Sequence, residues 1–115
     1  PLGPAVKLDA LVISPCTGNT MAKLADGITD TPVCMAAKAH LRADRPLLIA
    51  LSTNDALSAN LKNIAVMLEK KSVFFVPMRQ DAPETKPHSL SACFELIPEA
   101  LDMALEGKQM KKLFL

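Results

Sequence analysis

Aromatic residues are nearly absent from this chain. Its 115 residues include four phenylalanines and neither tryptophan nor tyrosine. Proteins that bind single-stranded nucleic acids stack bases on aromatic side chains, and the formal net charge of +1 provides no strongly basic surface for phosphates. We therefore expect no nucleic-acid partner. Because half of the residues are hydrophobic, the core must be built from aliphatic side chains.

Long apolar segments and paired cysteines are also missing. No apolar run approaches the roughly 20 residues that a transmembrane helix needs, so we expect no membrane span. The three cysteines, Cys16, Cys34 and Cys93, form no CxxC pair and no Cys/His ligand spacing, which argues against a metal site. Their wide separation favours a reduced, cytoplasmic protein. Cys34 and Cys93 lie on apolar helical patterns, and Cys16 is expected to be a packed thiol rather than a redox-active one.

Short apolar runs alternate with helical patterns along the chain. Uninterrupted apolar strands separated by helices predict a parallel sheet covered on both faces, in one α/β domain at 1–115. Pro98 predicts a kink or two abutting helices, and Gly107 a helix end. The pattern predicts an entry loop at 1–9, strands at 10–13, 46–51 and 72–77, helices at 18–27, 32–41, 57–68 and 89–106, and a polar loop at 78–87.

Polar residues follow each predicted strand. They form SPCTGNT at 14–20, STND at 52–55 and a loop that contains Arg79. The carboxyl ends of parallel strands meet at one edge, where α/β proteins bind ligands. A helix that begins after Gly18 would offer free N–H groups to a phosphate-bearing ligand. The alternative is that Thr17 and Asn19 only cap that helix. Neither GxxxxGK[ST] nor GxGxxG is present.

Four motifs in the same order resemble a known family over about residues 8–109. The loop SPCTGNT is similar to the PASANT loop of the flavoprotein family that includes phosphopantothenoylcysteine decarboxylase, and ALSTN is similar to its PAMN segment. Within this family, the motifs TDTPVCMAAKA, STNDAL and FVPMRQDAPETKP resemble those of the B subunits of bacterial dipicolinate synthases.

The resemblance implies a three-layer Rossmann-like flavoprotein fold with a parallel sheet, in which the first strands of the family domain are missing from this chain. It also implies FMN bound by the PASANT-like loop and by the turn after the second strand. The residues at those positions are Pro15, Thr17, Gly18, Asn19, Thr20, Ser52 and Thr53.

The resemblance further implies a reaction. The B subunits of dipicolinate synthases act with an A subunit, which brings NADP, to oxidise a dihydrodipicolinate-type dicarboxylate during sporulation. The expected location is the cytoplasm of the mother cell. The PAMN asparagine falls on Asn54, which is our candidate for a catalytic and substrate-binding residue. Arg79 is our candidate cation, because a guanidinium binds a carboxylate through two hydrogen bonds; the alternative is a solvated loop arginine.

Three functions remain open from the sequence. The chain is an enzyme subunit that binds the dicarboxylate or a flavin, a scaffold subunit with a vestigial flavin site, or an FMN-dependent decarboxylase. In the loop, Thr17 stands in place of the serine of PASANT and Gly18 in place of the alanine that follows it. We expect these replacements to alter the geometry of flavin binding. The chain is also expected to form a homo-oligomer.

Overall fold

Strands and helices alternate through residues 9–115, the part of the chain that the computed structural model describes. Eight residues of the expected entry loop, 1–8, lie outside that part. A 3₁₀ helix (Phe94–Leu96) directly precedes the last α-helix. The elements are β1 (Leu11–Cys16), α1 (Gly18–Asp26), α2 (Pro32–Arg42), β2 (Leu47–Thr53), α3 (Leu61–Glu69), β3 (Val73–Phe75), β4 (Met78–Arg79), β5 (Leu90–Ala92) and α4 (Ile97–Leu105).

Within residues 9–115 the sheet has five strands and is parallel through its centre. β2 pairs in parallel with β1 on one side and with β3 on the other, so that Ile49 lies beside both Ile13 and Phe75. Beyond the end of β3, the same side of β2 pairs antiparallel with β5, and β5 pairs antiparallel with β4. The prediction of a parallel sheet is confirmed for its main part, and the antiparallel extension is new.

Alternate residues of β2 face two separate parts of the core. Leu47, Ile49 and Leu51 pack in a cluster with residues of α1, α2 and α3. Leu48 and Ala50 pack in a second cluster with residues of α4. Since neighbouring residues of a strand point to opposite faces, the sheet is covered on both sides. This is the expected three-layer arrangement.

The ends of the first two helices follow ordinary capping chemistry. The hydroxyl of Thr17 accepts a hydrogen bond from the N–H of Thr20 and caps α1, and Gly27 ends α1 with a φ of 74°. Thr31 caps α2 in the same way, with Pro32 in the first turn. A glycine is favoured at Gly27 because L side chains are strained at positive φ.

Two helix predictions were wrong at their starts. α3 begins at Leu61 rather than at residue 57, because residues 54–60 form a hydrogen-bonded turn. Residues 89–93 are not helical: Leu90–Ala92 form β5, which supplies partners to the backbone at the end of β2. Cys93 is buried as expected, yet it lies outside any α-helix. The expected loop at 78–87 also begins with β4.

Pro98 and Gly107 behave as the sequence predicts. Pro98 lies in the first turn of α4, where the 3₁₀ helix abuts it, so the expectation of two abutting helices is confirmed. Gly107 has a φ of 76° and follows the end of α4. Within residues 9–115, no helix has the length and hydropathy that crossing a membrane requires.

Candidate functional site

The loops after β1 and β2 touch at Gly18. A β-carbon placed on Gly18 would lie 2.6 Å from Thr53 Oγ1, 2.8 Å from Asn60 Nδ2 and 3.1 Å from Asp55 Oδ1. Gly18 has no positive φ, so glycine is required here for close approach rather than for backbone conformation. The structure therefore brings together two of the predicted site residues, Gly18 and Thr53, at the carboxyl ends of two parallel strands.

Asp55 is the centre of the hydrogen-bond network beside Gly18. Its Oδ1 accepts hydrogen bonds from Thr53 Oγ1 at 2.6 Å and from Asn60 Nδ2 at 3.0 Å. Its backbone carbonyl accepts from the N–H groups of Ser58 and Asn60, both at 3.1 Å. Asn63 Nδ2 donates to Asn60 Oδ1 at 2.7 Å and extends the network into the buried side of α3. Asp55 thus holds the turn after β2 in one shape.

The charge of Asp55 is stabilised by these donors. Hydrogen bonds from Thr53 and then Asn60 hold the pKa of the Asp55 carboxyl below its ordinary value, while desolvation acts weakly in the opposite direction. The carboxylate is therefore ionised at neutral pH. A negative charge next to the start of α1 is favourable for the helix, but it repels a phosphate placed at the same point.

Some polar groups of the PASANT-like loop form hydrogen bonds with each other at the start of α1. Thr17 caps α1, and its hydroxyl lies 3.2 Å from the hydroxyl of Thr20. The N–H groups of Gly18 and Asn19, and the exposed side chain of Asn19, have no hydrogen-bond partner within residues 9–115. Pro15 is exposed in β1. Capping therefore accounts for Thr17, and it leaves donors from Gly18 and Asn19 available to a ligand.

Asn54 extends beyond the end of β2. Its side chain is exposed and makes no hydrogen bond to any group in the described part of the chain. The preceding residue, Thr53, is on the sheet face that carries α1, since it contacts Gly18. Ser52 points to the other face because side chains alternate along a strand. The structure therefore divides the predicted residues of this turn between two sides of the sheet.

Arg79 lies on the same side of the sheet as Ser52. In the ladder, Ser52 pairs with Ser91, and Ser91 pairs with Arg79. Two strand spacings separate Arg79 from Ser52, a distance of about 10 Å. The Arg79 guanidinium lies 3.5 Å from the carboxylate of Glu95, and both side chains are more than half exposed. Such a pair is weak and exchanges readily, so Arg79 can reach a ligand carboxylate.

Sequence reasoning missed Asp55, Asn60 and Asn63. Their signal was present: Asn60, Asn63, Ile64 and Met67 recur at helical spacing and form the buried face of α3. Asparagines within such a pattern indicate a polar network, because a buried amide needs hydrogen-bond partners. The larger number of apolar residues on the other side of α3 obscured this signal.

Cys16 lies under the loop as a buried thiol. It is fully buried in the same core cluster as Cys34, in agreement with a packed rather than a reactive cysteine. Burial, with a smaller effect from Cys34, raises the pKa of the Cys16 thiol to about 12. Within residues 9–115, no three His, Cys, Asp or Glu side chains are placed to hold a metal ion.

Replacing Gly18 by alanine tests the contact between the two loops. The new methyl group would overlap Thr53 and Asn60, which Asp55 holds in place, so we expect the free energy of unfolding to fall by about 1–3 kcal/mol. Urea denaturation measures this change. Adding Thr53→Ala removes the nearest atom, and the double variant should lose less stability than the sum of the single variants. Additive losses would contradict the contact.

Because burial raises the pKa of the Cys16 thiol, we expect the folded protein to lose stability at alkaline pH. The unfolded thiol releases its proton near its ordinary pKa of 9.0, whereas the folded thiol keeps it up to about 12. Above pH 9.0 the unfolded state therefore binds fewer protons, and the free energy of unfolding falls by at most about 1.4 kcal/mol per pH unit. Urea denaturation across this range should show a shallower decline for Cys16→Ala. Equal slopes in the two proteins would refute the assignment.

Comparisons with known proteins identify relatives of this chain. The chain is 47% identical over 111 residues to the dipicolinate synthase B subunit of Bacillus subtilis, and the match covers 96% of this chain and 56% of that protein. The chain therefore spans about half the length of this relative.

Solved structures of other proteins have the same fold as this chain. A crystal structure of the dipicolinate synthase B subunit from Bacillus halodurans C superposes with a TM-score of 0.95 and 44% identity, over 98% of this chain and 58% of that one. A PPC decarboxylase mutant complexed with pantothenoylaminoethenethiol superposes with a TM-score of 0.67 over 85% of this chain and 56% of that one; at 21% identity it shows the fold alone. The family model described as Flavoprotein matches residues 3–100, and this chain belongs to that family.

Proposed function

We propose that this chain is part of the B subunit of a dipicolinate synthase, and that residues 1–115 are the C-terminal portion of one flavoprotein-like domain. The observation that carries the proposal is the similarity to dipicolinate synthase B subunits, at 47% identity over nearly the whole chain and a TM-score of 0.95. In this proposal the protein acts with an A subunit in the cytoplasm of the mother cell of a sporulating bacterium.

The proposed reaction is the oxidation of a dihydrodipicolinate-type precursor to dipicolinate. The precursor loses a hydride and a proton and becomes an aromatic pyridine dicarboxylate. The hydride passes to NADP⁺ bound by the A subunit, which gives NADPH, and the proton is released to solvent. Because the A subunit would bind the hydride acceptor, the present chain needs no nucleophile. It binds and orients a dianion.

The side chains at the strand ends suit a dicarboxylate. Asn54 offers an amide donor that no other group in residues 9–115 uses, and Arg79 offers a guanidinium held by one exposed ion pair. We propose that Asn54 binds one carboxylate and orients the ring for hydride loss, and that Arg79 leaves Glu95 to bind the other carboxylate. Charge-assisted hydrogen bonds of this kind are stronger than those between neutral groups.

The same edge of the sheet has donors and acceptors that fit part of a flavin. The N–H groups of Gly18 and Asn19 and the amide of Asn19 are available, and the Asp55 carboxylate provides an acceptor nearby. This mixture suits the polar edge of a flavin ring, which carries both donors and acceptors. A phosphate is disfavoured against Gly18 by Asp55. We propose that FMN, when it binds, would be held at this edge by Pro15, Thr17, Gly18, Asn19, Thr20 and Thr53 and would supply redox chemistry there; Ser52, which points to the other face of the sheet, is left out of this set.

One observation supports a scaffold subunit as the second candidate. The hydroxyl of Thr17, which the resemblance assigns to flavin, is occupied in the cap of α1. In this alternative the loop serves only the fold, the flavin site is vestigial, and the A subunit performs the whole reaction.

Titration with FMN separates these candidates. We expect saturable binding to the purified protein, followed by the absorbance and fluorescence of the flavin, and weaker binding by Asn19→Ala. Arg42→Ala is the matched control, since Arg42 lies at the end of α2, away from this edge. The absence of any binding would remove the flavin from the proposal and favour the scaffold.

Replacement of Asn54 or Arg79 tests the dicarboxylate site. We expect Asn54→Ala and Arg79→Ala each to lower dipicolinate formation by the reconstituted two-subunit enzyme about 10- to 100-fold, because each removes a hydrogen bond to a charged group. Glu95→Gln should retain activity, since it frees Arg79. Full activity of both alanine variants would refute the two assignments, whatever the outcome of the flavin titration.

A further inference from the structure

Asn54 lies between two residues whose side chains are bonded to each other. The hydroxyl of Thr53 donates a hydrogen bond to Asp55 Oδ1 at 2.6 Å, and the N–H of Asp55 lies 3.5 Å from the same hydroxyl. The chain therefore closes on itself around Asn54, whose own side chain is exposed. We refer to residues 53–55, joined by this bond, as the Asn54 clip.

Both ends of the Asn54 clip are anchored by further hydrogen bonds. Thr53 is the last residue of β2 and pairs with β5. The backbone carbonyl of Asp55 accepts from two N–H groups of the following turn at 3.1 Å, and its carboxylate accepts from Asn60 Nδ2 at 3.0 Å. Because both neighbours of Asn54 are fixed, its backbone has little freedom, and its amide projects from one point at the end of β2.

Gly18 packs against the bond that closes the Asn54 clip. A β-carbon at Gly18 would lie 2.6 Å from Thr53 Oγ1 and 3.1 Å from Asp55 Oδ1, which are the two atoms of that bond. The closing bond therefore lies on the α1 side of the sheet edge, directly against the loop after β1. This contact restricts movement of the two side chains away from each other.

The Asn54 clip needs an acceptor at Asp55 rather than a charge. Oδ1 accepts both side-chain hydrogen bonds, and Oδ2 has no hydrogen-bond partner within residues 9–115. An asparagine at this position would offer the same acceptor, with its amide nitrogen in place of Oδ2. A negative charge next to a site for a dicarboxylate is itself unfavourable, because like charges repel. The contribution of Asp55 to such a site is therefore geometric.

We propose that Asp55 is a positioning residue for the dicarboxylate site: it closes the Asn54 clip through Thr53 and so holds the amide of Asn54 where it meets a carboxylate of the substrate. This inference rests on the proposed function, in which Asn54 binds that carboxylate. Asp55 itself touches no substrate. A group that is ordered before binding loses less conformational freedom when the ligand arrives, so the Asn54 clip should raise the affinity for the dicarboxylate.

Steady-state kinetics of the reconstituted two-subunit enzyme tests the proposal. We expect Asp55→Ala to raise the KM for the dicarboxylate precursor about tenfold, because a misplaced binding group loses much of its effect. The KM for NADP⁺ should not change, since the A subunit binds that molecule in the proposed reaction. Asp55→Asn should restore the KM for the precursor to within a few-fold of the original protein, because it keeps the acceptor.

Asn63→Ala is the matched control, since it breaks the same network at its other end. Asn63 donates to Asn60 Oδ1 and takes no part in the Asn54 clip, so this variant should lose stability in thermal unfolding and keep the KM for the precursor. An equal rise in KM for Asn63→Ala and Asp55→Ala would overturn the proposal, because general loosening of the turn would then be the cause. Thr53→Val, which removes only the donor of the closing bond, should raise the KM as Asp55→Ala does, and it serves if Asp55→Ala does not fold.

A double variant separates this inference from the proposed function. If Asp55 acts through Asn54, adding Asp55→Ala to Asn54→Ala should change the KM for the precursor by less than about twofold, since the group being positioned is already absent. Multiplied effects would refute the positioning role. If Asn54→Ala lowers activity while Asp55→Ala leaves the KM unchanged, the positioning role alone is wrong. Full activity of Asn54→Ala would refute the assignment of Asn54, and this inference with it.

Discussion

The contact between Gly18 and the Asp55 network is the constraint on which the rest of this structure depends. It joins the loop after β1 to the turn after β2 at one point, where there is no room for a side chain. The network explains why the turn at 54–60 is ordered and why α3 begins as late as Leu61. It also fixes which side of α3 is buried, because Asn60 and Asn63 belong to it.

The contact between Gly18 and Thr53 determines which residues at the end of β2 point to each face of the sheet. Thr53 turns toward α1 to meet Gly18, so Ser52 points to the face that carries α4 and lies in register with Arg79 through Ser91. The donors around Gly18 and Asn19 and the guanidinium of Arg79 therefore lie on opposite faces of the sheet.

The exposed leucines of α3 result from the same arrangement. Burying two asparagines requires that each amide finds hydrogen-bond partners, which Asp55 provides. The helix then has too few inward positions for all of its apolar residues, and Leu61 and Leu68 remain outside. Such residues lower solubility unless another surface covers them.

Local sequence determined most of the framework. The apolar runs located β1 and β2, although β1 continues beyond the predicted end at residue 13 to Cys16. Threonine followed by small residues or proline defined the starts of α1 and α2, and the motifs from SPCTGNT to STNDAL identified the Flavoprotein family. Each of these features depends on residues close together in the chain, and sequence patterns report such features directly. The alternation that gives three layers could also be foreseen, because parallel strands must be covered on both faces.

Tertiary structure alone decided the polarity of α3, the strand character of Leu90–Ala92 and the position of Arg79. Leu90 and Cys93 fit a helical period, whereas Leu90 and Ala92 fit a strand period, and only the unpaired end of β2 selects the strand. The inward turn of Asn60 and Asn63 depends on a carboxylate from another part of the turn. In these cases the deciding partner is a hydrogen bond or a strand from another segment, and periodicity along one segment contains no information about it.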